Sequence, residues 1–198
     1  MYPKSLERVI SFYKKLPSIG EKTAERLALA TLDMNEATIE EFKQNLTELK
    51  SKIKPCSICN HLTDNDICPI CSDEYRNKDL ICVIEDSRSV YSFEKAGKYN
   101  GTYHVLNGLI SPINNIGPEN INISSLVKRV KSLNNPELII ALKSSIEGET
   151  TTLYIKKIFE NTNVKISRLS YGIPMGAEID YLDILTLDKA LEDRKIIS

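Results

Sequence analysis

The stretch CSICNHLTDNDICPIC, from Cys56 to Cys71, holds four of the five cysteines of this 198-residue chain. The four form two CxxC pairs, Cys56/Cys59 and Cys68/Cys71. Each pair can place two thiolates on one tetrahedral ion, so this spacing constrains the local fold more than any other feature of the sequence. The pattern predicts a compact zinc knuckle with a short polar loop, HLTDND, at its tip.

The predicted zinc is structural, with one ion per chain. Four thiolates fill the tetrahedron and leave no open position for water or substrate. His61 is therefore expected to be an exposed loop residue and not a ligand. A redox-active CxxC is the alternative, but such a motif requires only one pair and usually lies beside a βαβ unit. The fifth cysteine, Cys82, lies in the apolar run LICVI and is predicted to be a buried strand residue.

The expected location of the chain is cytoplasmic. Its first residues, MYPKSLERVI, contain no basic segment followed by an apolar run, as a secretory signal would. No segment reaches the roughly 20 apolar residues of a membrane span. In the reducing cytoplasm, paired cysteines bind metal more readily than they form disulfides.

The overall charge gives no support for a nucleic-acid partner. The chain has 26 basic and 27 acidic residues, which gives a formal net charge of −1. Four thiolates and one Zn²⁺ ion would make the chain more negative still. Any binding to nucleic acid must therefore come from a local basic patch.

The N-terminal part of the chain shows apolar residues at helical spacing in three segments. The second predicted helix begins at Glu21 after the turn PSIG, and Asn35 is a plausible cap for the third. The residues expected on the inner sides of the three helices are Leu6, Val9, Ile10, Tyr13 and Leu16, then Ala24, Leu27, Ala28 and Leu32, then Ile39, Phe42, Leu46, Leu49 and Ile53.

After the cysteines, short apolar strands alternate with helices. The predicted strands are residues 80–85, 103–106, 137–142 and 164–169, and a closing helix is predicted from Leu187. Helices that alternate with short apolar strands indicate a mostly parallel sheet in an α/β domain.

The segment LPSIGEKTAERLA predicts a helical hairpin whose tight turn contains Gly20. The free N–H groups and the dipole at the start of the second helix attract phosphate. Lys22 and Arg26 lie four residues apart on one face, where they can contact successive phosphates without reading bases. The pattern resembles the helix-hairpin-helix of DNA-binding proteins. A plain αα-hairpin with solvated charges is the alternative.

The hairpin, the four-cysteine knuckle and the α/β region follow one another in the order found in the RecR family of bacterial recombination mediators. The chain resembles that family over essentially its whole length, and six ordered matches are more specific than any one of them. The matching segments are LPSIGEKTAERLA, CSICNHLTDNDICPIC, ICVIEDSRSV, YNGTYHVLNGLISPINNIGPENI, IEGETTTLYI and RLSYGIPMGAEIDYLDILTLDKAL.

The resemblance implies a multidomain α and α/β fold. Its expected parts are a helix-hairpin-helix domain at residues 1–54, a four-cysteine zinc module at 55–78, a Toprim domain at 79–174 and a C-terminal tail at 175–198. It also implies a non-enzymatic, DNA-binding mediator of recombinational repair that acts with RecO and RecF at single-stranded gaps. The expected assembly is a homo-oligomer, a dimer or a tetrameric ring, that clamps single-stranded, double-stranded or gapped DNA.

The sequence departs from the usual family pattern in three places. Ser18 stands where the hairpin usually has its first glycine, so the turn must reach its geometry without that freedom. Lys143-Ser144-Ser145 stands where Asn-Pro-Thr or similar is usual. In the tail motif, Tyr171, Ala177 and Glu178 stand where Arg, Gly and Asp are common, which argues against an arginine-mediated role at Tyr171.

A Toprim domain raises the question of catalysis. The fold resembles that of topoisomerases and primases, in which a glutamate after the first strand and a DxD after a later strand bind magnesium. Glu85 and Asp86 follow the first strand, but Lys143 and Ser145 follow the later strand ELIIAL. A lysine there would repel the cation, so the metal site is expected to be incomplete and the chain not to be an enzyme. A residual metal-dependent nuclease is the alternative.

Glu147 and Glu149 lie in the segment IEGE at a predicted helix start. Carboxylates at this position complement the helix dipole, or they contact a basic patch on a partner. The family resemblance makes both residues candidates for partner binding. No phosphate-loop motif accompanies them, and His104, within YHVL, is expected to be a hydrogen-bonded strand residue.

Overall fold

The computed structural model describes residues 2–170, 173, 175–194 and 196. The chain divides into two compact units, Met1–Ile53 and Lys54–Ser198. Among the described residues, no helix combines the length and the apolar character needed to cross a bilayer.

The first unit consists of three helices. The predicted starts of the second and third helices are confirmed: Gly20 precedes α2 in an extended conformation, and Asn35 Oδ1 accepts a hydrogen bond from Thr38 N at 2.8 Å. The asparagine thus satisfies one of the free N–H groups at the start of α3. The helices are α1 (Lys4–Tyr13), α2 (Glu21–Leu32) and α3 (Glu36–Lys52).

The core of this unit is small and joins α1 to α2. Ile10, Ala24 and Ala28 are buried, and Tyr13 packs against them. The two alanines allow the backbones of α1 and α2 to approach closely. The Tyr13 hydroxyl shares a hydrogen bond of 2.7 Å with Thr31 Oγ1, which links the same two helices.

The buried stripe predicted for α3 is wrong. No residue of α3 is buried, and Phe42, Leu46 and Leu49 are 46%, 45% and 59% exposed. Leu32, expected on the inner side of α2, is 70% exposed. The spacing identified an apolar face correctly, but α1 and α2 cover each other and leave the face of α3 without a cover.

The second unit begins with the cysteine knuckle. A two-residue antiparallel ribbon precedes and follows the first CxxC pair, and a one-turn helix carries the second pair. The sequence pattern did not predict the ribbon, because strands of two residues carry no periodicity. The elements are β1 (Lys54–Pro55), β2 (Leu62–Thr63) and α4 (Pro69–Ser72).

A four-stranded parallel sheet in the order β4-β3-β5-β6 forms the rest of the described unit, together with four helices. The four predicted strands are confirmed to within one residue at each end. The last helix begins before the predicted Leu187, since Asp183 caps it by accepting a hydrogen bond from Thr186 N at 2.9 Å. The elements are β3 (Leu80–Ile84), α5 (Ser87–Ala96), β4 (Thr102–Val105), α6 (Ile123–Lys131), β5 (Glu137–Ala141), α7 (Ile146–Ile158), β6 (Lys165–Arg168) and α8 (Ile184–Glu192).

Helices cover both faces of the sheet, as parallel strands require. Along β3, Ile81 and Val83 contribute to one core and Cys82 and Ile84 to the other. Cys82 is buried as predicted, and burial raises the pKa of its thiol to about 12. Because all four strands run in one direction, the residues after β3 and β5 meet at a single edge of the sheet.

Candidate metal centre and nucleic-acid interface

The four cysteines of the knuckle converge on one point. Their sulfur atoms all lie within 4.8 Å of one another, and each residue is buried. The fold directs backbone donors at these sulfurs: Cys68 N donates to Cys56 Sγ at 3.3 Å, and Cys71 N donates to Cys68 Sγ at 3.4 Å. Such N–H donors stabilise thiolate charge and fix the direction of each ligand.

The chemistry of this donor set fits zinc. Cys59 Sγ and Cys68 Sγ share a hydrogen bond at 3.6 Å, and that bond raises the pKa of Cys59 and lowers the pKa of Cys68. A divalent ion at the centre supplies the charge that allows all four to ionise. The prediction of one structural zinc site is confirmed.

The prediction for His61 is half wrong. The residue is buried at 6% exposure, rather than exposed in the loop. Its ring packs edge-on against Tyr91 with 5.2 Å between the ring centroids. It does not belong to the cluster of potential metal ligands, which consists of the four cysteines. No pattern near His61 signals its burial, because Tyr91 lies on a helix thirty residues away.

The knuckle is joined to the edge strand of the sheet. Val105 N donates to Cys59 O at 2.8 Å, which extends the pairing of β4 to the knuckle. Asn60 adopts a left-handed conformation with φ 61° and donates from Nδ2 to Ser125 Oγ on α6 at 3.2 Å. No sequence motif marks Asn60 for this role, although asparagine tolerates this conformation better than most residues.

His104 lies in β4 beneath this junction. It is fully buried, and its Nε2 lies 2.9 Å from Asn122 O. Burial lowers its pKa to about 4, so the ring is neutral near pH 7. The expected hydrogen bond is present at Nε2, while Nδ1 has no partner among the described residues. A neutral, enclosed imidazole is poorly placed to act as a general base.

The carboxylates that follow β3 each pair with a basic residue. Lys143 Nζ lies 3.4 Å from Glu85 Oε1, so a lysine ammonium occupies the position next to this carboxylate. Asp86 caps α5 by accepting a hydrogen bond from Arg88 N at 2.8 Å. Arg88 also forms an ion pair with Asp86 and lowers the pKa of its carboxyl group. Within the described part of the chain, the four cysteines form the one potential metal-binding cluster.

Glu147 and Glu149 lie in the first turn of α7. The helix cap is Ser145, whose Oγ accepts from Gly148 N at 3.2 Å and donates to Glu147 Oε2 at 2.9 Å. The backbone N–H of Glu147 lowers the pKa of its own carboxyl group. Glu149 pairs with Arg168 at 3.2 Å. Glu147 thus serves the helix start, Glu149 joins α7 to β6, and both side chains are partly exposed.

The hairpin presents Lys22 and Arg26 to solvent on the first two turns of α2. Neither residue forms an ion pair or a hydrogen bond with the described part of the chain. Ser18, in the turn, has φ 67°, so serine adopts the left-handed conformation in which the family usually has glycine. This conformation costs about 1 kcal/mol for a residue with a Cβ.

Models of known protein families match nearly the whole chain, from residue 6 to residue 195. Four family models match in order: the RecR helix-hairpin-helix at residues 6–50, the RecR four-cysteine zinc finger domain at 53–73, the Toprim domain at 79–170 and the RecR C-terminal model at 172–195. The chain belongs to the RecR family. It is 45% identical to the recombination protein RecR of Staphylococcus aureus strain JH9 over 193 residues, which cover 98% of both chains. It is 44% identical to RecR of strains MRSA252 and Newman over the same length and coverage.

Family membership supports a role in recombinational repair. The zinc finger of the RecR family corresponds to the knuckle, and its Toprim domain corresponds to the parallel sheet. Two of the departures from the usual RecR pattern lie within the described residues discussed above. Ser18 adopts a left-handed conformation in the hairpin turn, and Lys143 forms an ion pair with Glu85. Tyr171 lies outside the described residues.

Proposed function

We propose that this member of the RecR family is a non-enzymatic, DNA-binding mediator of recombinational repair. The observation that carries the proposal is the exposure of Lys22 and Arg26, one helical turn apart at the phosphate-attracting end of α2. Two unpaired cations with this spacing can neutralise neighbouring phosphates of one strand. Such contacts give affinity with little preference for sequence.

One hairpin binds DNA weakly, so the proposed active form is a dimer or a tetrameric ring that clamps DNA. Several hairpins held together gain affinity through effective concentration. The uncovered apolar surface of the first unit supports this proposal: a groove of about 510 Å³ lies between α1 and α3. A second copy of the chain would cover exposed residues such as Phe12, Phe42 and Leu46, which are costly to leave in water.

The proposed partners are RecO and RecF, with which the chain would act at single-stranded gaps in the cytoplasm. The resemblance to the RecR family supports this assignment. Glu147 and Glu149 are the proposed partner-binding residues, because an acidic turn at the end of a sheet suits a basic surface on another protein.

The proposed lack of catalysis rests on the ion pair between Lys143 and Glu85. An ammonium beside the carboxylate repels a divalent cation and supplies none of the oxygen ligands that magnesium requires. Incubation of the protein with labelled gapped DNA and magnesium or manganese is expected to leave the strands intact. Cleavage that disappears in Glu85→Ala would instead identify a residual nuclease.

The DNA-binding proposal is tested with the double variant Lys22→Ala/Arg26→Ala. Loss of two phosphate contacts is expected to weaken binding to labelled gapped DNA and to reduce the slope of log affinity against log salt by about 2. Lys50→Ala is the matched control, because Lys50 is also an exposed lysine on a helix of the same unit. Zinc content should be unchanged in both variants. Equal DNA retention by the double variant and the control would place the DNA site elsewhere.

A further inference from the structure

A cleft with a volume of about 610 Å³ lies between the cysteine knuckle and α6. This volume is in the range of small-ligand sites. The knuckle forms one wall, with Ser57 and Ile58, and α6 forms the other. Three cations line the space between them: Lys78, Lys128 and Arg129. We call this site the knuckle cleft.

The three cations of the knuckle cleft have no acidic partner among the residues that the structure describes. Lys78 Nζ donates to the backbone carbonyls of Cys71 and Asp73. In the described part of the chain, no carboxylate lies within ion-pair distance of Lys78, Lys128 or Arg129. The nearby Arg76 differs, because it forms a salt bridge with Glu94 at 2.5 Å. No carboxylate of the described chain therefore neutralises these three cations.

Arg129 is held in place by neutral groups. Its guanidinium donates to Tyr103 O and to Thr102 Oγ1, each at 2.6 Å. These two bonds use two of its five donors and leave the others available. Lys128 lies one residue earlier on α6 and is exposed, with no hydrogen bond to the described part of the chain. Hydrogen bonds thus fix Arg129, whereas Lys128 is exposed at the lining of the same cleft.

Two negative features border the knuckle cleft. Four thiolates with one zinc ion carry two negative charges, and the C-terminal end of α6 carries roughly half a charge. The three positive charges of the lining residues exceed the sum of these negative charges, so the net charge around the cleft is positive.

The remaining lining of the knuckle cleft suits a flat apolar group. Ile58, which is 36% exposed, and Leu133, which is partly buried, offer apolar surface. The hydroxyl groups of Ser57, Ser125 and Ser132 also line the cleft and can donate or accept hydrogen bonds. Cations, hydroxyls and apolar surface within one cleft match the parts of a nucleotide: phosphate, sugar and base.

We propose that the knuckle cleft binds one nucleotide unit of a DNA strand, with its phosphate at Lys128 and Arg129 and its base against Ile58 and Leu133. A base is free to enter such a cleft only when it is unpaired, so the cleft favours single-stranded over duplex DNA. This inference rests on the proposed DNA-binding function and adds a second contact, in the other unit of the chain, to the hairpin.

The test compares Lys128→Ala with Lys98→Ala in the otherwise unchanged full-length, zinc-loaded protein. Lys98 is likewise exposed and unpaired within the described residues, but it lies outside the cleft. Fluorescence anisotropy with a labelled oligothymidylate should show that Lys128→Ala weakens binding about 5- to 10-fold and lowers the salt slope by about 1. Lys98→Ala should stay within about twofold of the unchanged protein. Binding of a blunt duplex should change equally little in both variants.

Ile58→Ser tests the apolar wall without a change of charge. It should weaken binding of the oligothymidylate and leave the salt slope unchanged, because base contact does not release counterions. Zinc content is measured for each variant. If Lys128→Ala and Lys98→Ala bind the oligonucleotide equally, or if Lys128→Ala loses zinc, the cleft cations serve the protein itself and the proposal is overturned.

A free nucleotide carries the same phosphate and base as a strand. Isothermal titration with thymidine monophosphate separates the two sources: heat that is lost in Lys128→Ala identifies a free nucleotide as the ligand and overturns the strand assignment. An absence of heat, with weaker oligothymidylate binding by Lys128→Ala, supports it. The hairpin is tested on different residues, so DNA binding that depends on Lys22 and Arg26 but not on Lys128 would overturn this inference alone.

Discussion

The cysteine knuckle and the strand-end edge of the sheet both carry groups that bind cations, but they arrange them in opposite ways. In the knuckle, four sulfurs converge within 4.8 Å and are buried. At the edge, Glu85 pairs with Lys143, Asp86 caps α5 and Glu149 pairs with Arg168. Each carboxylate is satisfied by a different group. Groups that can bind cations thus share one point in the knuckle and are each paired separately at the edge.

The largest expected effect is on the knuckle itself. Cys59→Ser removes one ligand of a closed site, in which metal-binding energy is also folding energy. The variant should lose its zinc and about 3 kcal/mol or more of stability. Zinc release to a chromogenic chelator and thermal unfolding measure these effects. Cys82→Ala is the control, since this buried cysteine lies outside the cluster and its loss should leave one zinc per chain. Retention of zinc by Cys59→Ser would contradict the closed four-cysteine site, which is the feature that distinguishes the knuckle from the edge.

Zinc affinity should also fall as the pH is lowered. The pKa of Cys59 is raised by its hydrogen bond with Cys68 and by burial, so this thiol keeps its proton near neutral pH. Zinc must displace that proton, and acid favours the protonated form. We expect the apparent affinity to fall about tenfold or more per pH unit below pH 8, as measured by competition with a chelator of known affinity. A flat profile would contradict the assigned protonation of the cluster.

An intermediate effect is expected from a change that makes the edge more like a metal site. Lys143→Asp removes the ammonium beside Glu85 and puts a second carboxylate in its place. Manganese should then bind this variant weakly and should not bind at the edge of the unchanged protein. The readout is the enhancement of the relaxation rate of water protons by bound manganese. Lys143→Met removes the ammonium without adding a ligand and is the control. Manganese binding by the unchanged protein that is lost in Glu85→Ala would show that the edge is already a cation site.

The smallest effect is expected for the ion pair alone. Lys143 and Glu85 are 54% and 30% exposed in their side chains, so solvent screens their attraction. Lys143→Met should change the free energy of unfolding by less than about 1 kcal/mol, as measured by urea denaturation. A loss of unfolding free energy several times larger would contradict this expectation. It would mean that Lys143 stabilises the edge of the sheet as strongly as zinc stabilises the knuckle.

Much of the fold follows from local patterns in the sequence. The CxxC spacing predicts the knuckle, since ligands three residues apart bind one ion whatever surrounds them. Apolar runs locate the four strands to within one residue, and Asn35 marks the start of α3. Charges four residues apart place Lys22 and Arg26 on one face of α2. In each case the relevant groups are neighbours in the chain.

The predictions from sequence were wrong or incomplete where segments that are distant in the chain pack together. His61 is buried by Tyr91, and Asn60 joins the knuckle to α6, which follows it by more than sixty residues. The spacing of its apolar residues predicts the apolar face of α3. That spacing does not show whether another surface covers the face. The knuckle cleft depends on three parts of the chain and has no sequence signature of its own.

Residue types and short spacings are enough to specify the ligand set of the metal centre, the order of the strands along the chain and the family to which the protein belongs. Which cations are left without acidic partners follows only from the packed fold. Lys143 meets a carboxylate 58 residues away. Within the described chain, Lys78 and Arg129 donate only to neutral groups, and Lys128 forms no ion pair. Charge pairing depends on distance in space, and that distance is fixed only when the strands and helices have packed.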